Sequence, residues 1–341
     1  MAIISTKNNK DLISLALGPM SSEVIEAVFR YSNFYRKPLM LVASKNQIDH
    51  SGGYVNNWTT NKYMEFVNGM RKQNPNAEVK ICRDHCGPGF NGNSDISDTY
   101  TTIEDDIKCG FDLIHIDFCH FQGTNNERLE AMRRAILHCI NLKPSILIEI
   151  GTDENIGTNY GLPNLTEWER EIEFFKGFCN PCFYVVQTGS LIKEINQAGS
   201  FNRPFVEKVA KILKKKGLKL KEHNADYLSK DEISLRRGVV DALNVAPQLG
   251  VIQTQIILTK CLVYGIPINK FLEEVYRGGK WKKWMHKNTS SNEMLCSIIA
   301  GHYHFTSPSY SLLIKELAKR EDIKETIINV ILEVIHHYVQ K

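Results

Sequence analysis

Eight times in the first 265 residues a short apolar run gives way to a stretch of helical periodicity, and that alternation leaves few folds open. The runs fall at residues 12–17, 38–43, 79–84, 112–117, 145–150, 182–187, 218–223 and 241–245. Helical patterns fill the gaps, from Ser21-Ser22-Glu23 to about residue 35, then at about 60–71, 99–109, 126–141, 166–176 and 204–216. Ser229 starts the seventh helix, and residues 251–264 form the eighth. Strands joined through helices run parallel, and eight such units have the period and length of a closed (β/α)8 barrel. A doubly wound open sheet is the alternative; polar residues at nearly every run's end favour closure. Residues 1–265 are therefore expected to form the barrel, and residues 266–341 a helical extension packed on it or against another subunit. That extension carries Trp281-Lys282-Lys283-Trp284 and a long helix from about Tyr310.

Composition narrows the partners. The chain is 43% hydrophobic and 23% charged, ordinary for a globular protein. Its 42 basic and 38 acidic residues leave a net charge of +4, too mild for a nucleic-acid surface. Lys214-Lys215-Lys216, ahead of Gly217, reads as a solvated helix end where cations suit the dipole. No run of about 20 apolar residues offers a membrane span. The start does not resemble a signal peptide, and nine scattered cysteines imply reduced thiols, so a cytoplasmic protein is expected. Cys179-Asn-Pro-Cys182 has a redox or half-zinc spacing, but without a second pair it reads as structural.

The chemistry gathers at the strand ends. Lys80-Ile-Cys-Arg-Asp84-His85-Cys-Gly87-Pro88 ends an apolar run in an Asp-His pair and then in Gly-Pro, which stops a strand. In a barrel this end is the rim where reactions are run. Alone, the pair reads more readily as a buried structural hydrogen bond at a strand end. It has company, however: Asn46-Gln47 after the second run, His115 and Asp117 in the fourth, and Glu149 with Asp153-Glu154 at the fifth. Gln187 closes the sixth, His223-Asn224-Ala225-Asp226 the seventh, and Asn244 the eighth. Packing alone does not call for so many polar groups, because each costs desolvation. Two histidines on separate strands with carboxylates between them suit a catalytic zinc with open positions. His115 and Asp117 point to one side and are as well read as a packed interior pair. His302 and His304 are either structural or substrate-contacting, and His336-His337 are expected to be exposed.

In this order, Asn46-Gln47 with Gly52-Gly53-Tyr54, Asp84-His85-x-Gly-Pro88, Ile114-His-Ile-Asp117, Ile150-Gly-Thr152, Val185-Val-Gln187, His223-x-x-Asp-Tyr227 and Trp281-Lys-Lys-Trp284 resemble one family. It is the class II tagatose-bisphosphate aldolase accessory subunit family, formerly described as tagatose-6-phosphate kinases. The similarity extends to His302-Tyr-His304-Phe305 in the tail. The resemblance implies a zinc-type (β/α)8 barrel with Asp84 as proton shuttle, His85 as a metal ligand and His223 as a second ligand. Class II aldolases have a further histidine after the sixth strand. Here Gln187-Thr188-Gly189 stands there, so Gln187 or a fifth-strand carboxylate, Asp153, would be the third ligand. The chain also departs from the family in Gly-Thr-Asp153-Glu154, where Gly-Thr-Glu is usual, and in Ala246-Pro247, where Gly-Pro is typical.

The expected function is thus zinc-dependent cleavage or C4 epimerisation of a phosphorylated ketose. Asn46, Gln47 and Asp226 would orient sugar hydroxyls, with Asp117 and Glu149 among the polar groups facing substrate. Asn224 and the eighth-strand loop would hold phosphate. A non-catalytic subunit beside a catalytic class II aldolase is the competing reading, and a homo-oligomer is expected. A kinase is excluded by the lack of a Gly-rich Lys-Ser/Thr phosphate loop.

Overall fold

The computed structural model describes residues 14–153 and 165–340. Leu12 and Ile13 of the first expected strand, and Glu154, lie outside the described residues. The elements begin β1 (Ser14–Leu17), α1 (Ser22–Tyr35), β2 (Leu39–Ser44), α2 (Thr60–Gln73), β3 (Val79–Cys86), α3 (Ile96–Cys109), β4 (Leu113–Ile116) and α4 (Asn125–Leu142). They continue with β5 (Leu147–Gly151), α5 (Leu165–Lys176), β6 (Phe183–Val185), a small hairpin of β7 (Ile192–Lys193) and β8 (Asn196–Gln197), α6 (Arg203–Lys215), β9 (Lys219–Glu222), α7 (Lys230–Arg236), β10 (Ala242–Val245) and α8 (Pro247–Val263). The extension holds α9 (Asn269–Gly278), a 3-10 turn at Lys280–Lys283, α10 (Glu293–Ala300), a second turn at Gly301–His304, α11 (Pro308–Ala318) and α12 (Ile323–Val339).

Eight strands close a parallel barrel in the order β1-β10-β9-β6-β5-β4-β3-β2. Ser14–Leu17 pair with Ala242–Val245 to shut it, which decides against the open sheet. The side-chain period of two then sorts every strand between two environments. Pointing outward, residues such as Leu15, Leu41, Ile81, Ile114 and Ile148 pack against the helices. Pointing inward near the bottom, Ala16, Met40, Val42, Cys82, Leu113, Phe183 and Ala242 fill the lumen. Two residues further along the same inward rows stand Ser44, Asp84, His115, Glu149 and Asn244. The polar rim is thus the direct continuation of the apolar floor. The chain changes chemistry, not direction.

Several expected boundaries move for local reasons. β3 does not stop at Asp84 but pairs through Cys86, with an irregular register against β4 between Arg83 and Cys86. α3 begins a turn early because Asp95 caps it, accepting from Ser97 N at 2.9 Å. α8 starts immediately after β10 at Pro247, whose fixed φ suits a first helical position. The single long terminal helix is two, because Asp322 accepts from Glu325 N at 3.0 Å and starts α12 anew. His336 and His337 are half-buried rather than exposed. His336 Nδ1 meets Tyr31 Oη at 3.1 Å, and His337 Nε2 donates to the Leu228 carbonyl at 2.8 Å. Cys179 and Cys182 are free thiols. Among the described residues no helix is long and apolar enough to cross a membrane.

Candidate active site

β3 supplies both members of the Asp-His pair, although successive strand residues ordinarily face opposite ways. The conflict is resolved at His85, whose φ of 46° is left-handed, an uncommon conformation for a residue with a Cβ. Together with the register shift against β4, it turns His85 into the same mouth as Asp84. His85 N then lies 3.3 Å from His115 Nδ1. Gly87 completes the turn: a Cβ there would lie 1.7 Å from the Asp117 carbonyl oxygen, so no side chain fits.

The mouth forms one charged cluster. His85 Nδ1 lies 2.9 Å from Asp117 Oδ2, which orients the ring and leaves Nε2 facing inward. That Nε2 is 3.6 Å from Asp153 Oδ1 and 3.9 Å from Asp84 Oδ2. His223 Nδ1 is 3.1 Å from Asp153 Oδ1, whose other oxygen accepts from Asn224 Nδ2 at 2.6 Å. His223 Nε2 lies 3.7 Å from Asp84 and 3.6 Å from Glu149, beyond hydrogen bonding, and is buried without a partner. Asp84 is held by His115 Nδ1 and Asn244 Nδ2, each at 3.1 Å. His115 Nε2 donates to the Gly151 carbonyl at 2.9 Å. Underneath, Lys221 Nζ is 2.9 Å from both oxygens of Glu149 in a fully buried pair.

Burial alone would push the Asp84 carboxyl up, but His85, His223, the His115 hydrogen bond and Lys221 outweigh it and hold it well below the usual carboxylate range. Burial likewise opposes charge on His223, yet Asp84 and Asp153 raise it to about 9. Glu149, against burial, is drawn down to about 2, chiefly by Lys221. One atom each from His85, Asp153 and His223 lies within 4.8 Å of the others, as do donors of Asp84, His115, Glu149 and His223. These oxygen and imidazole donors are those a zinc-type divalent ion takes.

Of the remaining expected residues, Asn46 and Gln47 line the cavity but are tied into the rim. Asn46 Nδ2 donates to the Phe90 carbonyl, and Gln47 Oε1 accepts from Ser44 N at 2.8 Å. Asp226 Oδ1 accepts from Ala246 N at 3.0 Å and Gln248 N at 2.8 Å, and burial pushes its carboxyl up to about 7. Gln187 is half-buried in the loop after β6, apart from the residues lining the cavity. Lys221 was missed by the sequence reading. Its signal was parity: in Lys219-Leu-Lys221-Glu-His223 it shares the inward face with His223.

A second charged knot lies behind β2 and β3. Lys45 Nζ pairs with Asp98 at 2.5 Å, His50 Nε2 with Asp98 at 2.9 Å, and Thr102 Oγ1 donates to Asp49 at 2.7 Å. Asn91 Nδ2 joins Asp49 and Asp98, each at 2.9 Å. The Lys45 ammonium already supplies the cation, so this knot fixes the two loops to one another.

A cavity of about 570 Å3 opens above the cluster, within the range of small-molecule sites. Its far wall comes from the extension: Lys280, Lys283, Trp284, His302, Tyr303 and His304.

The barrel is similar in fold to solved aldolases. A fructose-bisphosphate aldolase from Campylobacter jejuni superposes with a TM-score of 0.57 at 12% identity over 89% of each chain. The YdjI aldolase from Escherichia coli K12 gives 0.55 at 12% identity, over 91% of this chain and 94% of that one. A probable tagatose 6 phosphate kinase from Sinorhizobium meliloti 1021 matches over 96% of this chain and 99% of its own, with a TM-score of 0.79 at 17% identity. At these identities the likeness is one of fold. The family resemblance itself is borne out in the sequence: residues 3–139 match the model of the GatZ/KbaZ-like family, described as D-tagatose-1,6-bisphosphate aldolase subunit.

Proposed function

We propose that the chain is a metal-dependent, aldolase-type enzyme that breaks and remakes the C3–C4 bond of a phosphorylated ketose. The observation that carries this reading is a partnerless buried imidazole nitrogen on His223 beside an ionised Asp84 and an inward-turned His85. That nitrogen makes no hydrogen bond and stands 3.7 Å from Asp84 and 3.6 Å from Glu149, a separation that suits ligands of one bound ion better than a direct contact. The donor set fits a divalent ion, with His85, His223 and Asp153 to hold it. Such an ion would supply the positive charge that stabilises an oxygen anion developing at C2.

The chain's own groups account for the rest. Asp84, already ionised, would take the proton from the C4 hydroxyl as the C3–C4 bond breaks and the aldehyde forms. It would return that proton when the bond is remade on either face of the aldehyde. His115 and Asn244 keep its two oxygens aimed, and Asp117 keeps His85 aimed. Cleavage and C4 epimerisation thus share one machinery and differ in whether the aldehyde leaves or turns over.

The competing reading, a non-catalytic partner of a class II aldolase, is supported by Gln187 standing where class II aldolases carry a histidine. It is weakened by the upkeep of a buried charged rim that a scaffold does not need. The purified chain should release dihydroxyacetone phosphate from a ketose bisphosphate to a coupled dehydrogenase, or produce a C4 epimer visible by NMR, without any nucleotide. No change in any ketose phosphate, together with a gain in activity of an added class II aldolase, would decide for the accessory role. Elemental analysis should find about one divalent ion per chain. Full metal content in both His85→Ala and His223→Ala would show that other residues hold it.

A further inference from the structure

In (β/α)8 barrels a substrate phosphate commonly sits on backbone N–H groups near the last strands, at a helix N-terminus. Here that place is taken. Ala246 N and Gln248 N, at the start of α8, both donate to Asp226 Oδ1, and Pro247 between them has no N–H. A carboxylate-bearing side chain plugs the seat, and Asp84 and Asp153 line the same side of the cavity. An anion brought there would meet acidic groups rather than donors.

The opposite wall has the reverse character. Among the described residues lining the cavity, the ammonium groups are those of Lys280 and Lys283. Both side chains are exposed, and neither has a carboxylate partner among the described residues. Lys283 Nζ is 4.4 Å from the Trp284 ring centroid. Between this wall and the barrel stands His302, 1% exposed, with both ring nitrogens unpartnered. Gly250 on α8 makes its place: a Cβ there would come within 2.6 Å of the His302 Cβ. Burial and then Lys283 hold His302 down to about 3, so it stays neutral and presents one N–H donor and one acceptor. An imidazole kept buried with both nitrogens bare points to a ligand that satisfies them.

We infer that the extension, not the barrel, carries the anion seat: Lys280, Lys283 and His302 bind the terminal phosphate of an open-chain sugar whose carbonyl end lies at His85 and His223. The seat deepens the proposed reaction and rests on it for the sugar's orientation, but phosphate binding itself does not. Two ammonium groups suit a dianionic phosphate ester. The arrangement stretches the substrate from a basic wall to an acidic mouth, so its ends cannot be exchanged. His302 is the gauge of reach, donating to a phosphate oxygen or to the adjoining hydroxyl.

The test uses the full-length protein as purified, with inorganic phosphate, D-fructose 6-phosphate and D-fructose as probes in calorimetric titrations. The phosphate ester should bind at least about tenfold more tightly than the free sugar, and Lys280→Met/Lys283→Met should remove roughly that factor for both phosphate probes. Fructose affinity should stay within about twofold, and Lys280→Arg/Lys283→Arg should restore phosphate binding. His302→Phe should weaken fructose 6-phosphate binding several-fold while the Lys wall remains. Unchanged phosphate affinity in the double Met variant, or equal binding of the ester and the free sugar, overturns the seat. Lysine-dependent phosphate binding with no turnover of any ketose would overturn the proposed reaction and leave the seat standing. Turnover with an unaltered KM in the double Met variant would do the opposite.

Discussion

At the scale of single residues, two carboxylates in one mouth are set to opposite tasks by their neighbours. Asp84 is ionised because His85 and His223 face it, overcoming burial. Asp84→Asn keeps the size of the side chain and one acceptor oxygen but cannot take a proton. Turnover should fall by about 10²-fold or more while substrate affinity changes little, as steady-state and binding measurements would report. Asp226 has only backbone N–H groups against burial, and its pKa rises to about 7 from an unfolded value of about 4. Between those values the folded chain retains a proton that the unfolded chain has lost, so this group lowers stability as pH rises through that window. Asp226→Asn cannot ionise and should lose that decline. Above pH 7 it should be more stable than the parent, by up to about 4 kcal/mol from three units at 1.36 each. Urea unfolding from pH 4 to 8 measures it, and parallel curves for the two proteins would show that Asp226 titrates normally.

At the scale of elements, β3 organises the molecule through a residue that never touches the cavity. Arg83 is fully buried, its Nε and Nη2 bonded to Asp106 of α3 at 2.6 and 2.7 Å. Its Nη1 donates to the Ala43 and Ile48 carbonyls in and beyond β2. Placed between Cys82 and Asp84, it turns outward while they turn inward, and so locks the strand carrying the Asp-His pair to its helix. Arg83→Met should cost about 3–5 kcal/mol, because Asp106 is left as an uncompensated buried charge. Chemical denaturation would register this, with Arg83→Met/Asp106→Leu recovering much of the loss. A loss under about 1 kcal/mol would mean that the pair is not what holds β3 to α3.

At the scale of the whole chain, the extension is part of both the core and the site. α12 buries Ile327, Ile328, Ile331 and Ile335. Tyr338 Oη donates to the Ala225 carbonyl at 2.8 Å, on the loop that carries His223 and Asp226. Lys260 of α8 reaches Glu321 at 2.7 Å, and Arg30 of α1 reaches Glu325 at 2.8 Å. A chain ending at residue 265 would expose the apolar backing of α1 and α8, and it should show no cooperative thermal transition by calorimetry. A sharp transition from that fragment would establish residues 1–265 as an independent domain. Tyr338→Phe, which removes only the hydroxyl, should cost about 1 kcal/mol and loosen the β9–α7 loop.

What the amino-acid order alone determined is periodic. Eight apolar runs, their separating helices and the polar residues at the run ends follow from local alternation and caps, and these place Asp84, His85, His223, Asp153 and Asn244 on one rim. Lys221 was equally periodic, but a lysine between leucine and glutamate looks like surface until closure shows which way the row faces. The rest depended on three-dimensional closure. The φ of His85, which brings adjacent residues into one mouth, is set by pairing against β4, a strand 30 residues away along the chain. Asp226 becomes a helix plug only because α8 begins beside it. Lys280, Lys283 and His302 are remote in sequence from the barrel tips, and their chemistry has no local pattern. They enter the site because apolar faces of the extension must be buried somewhere, and burying them against α1 and α8 swings this wall over the mouth.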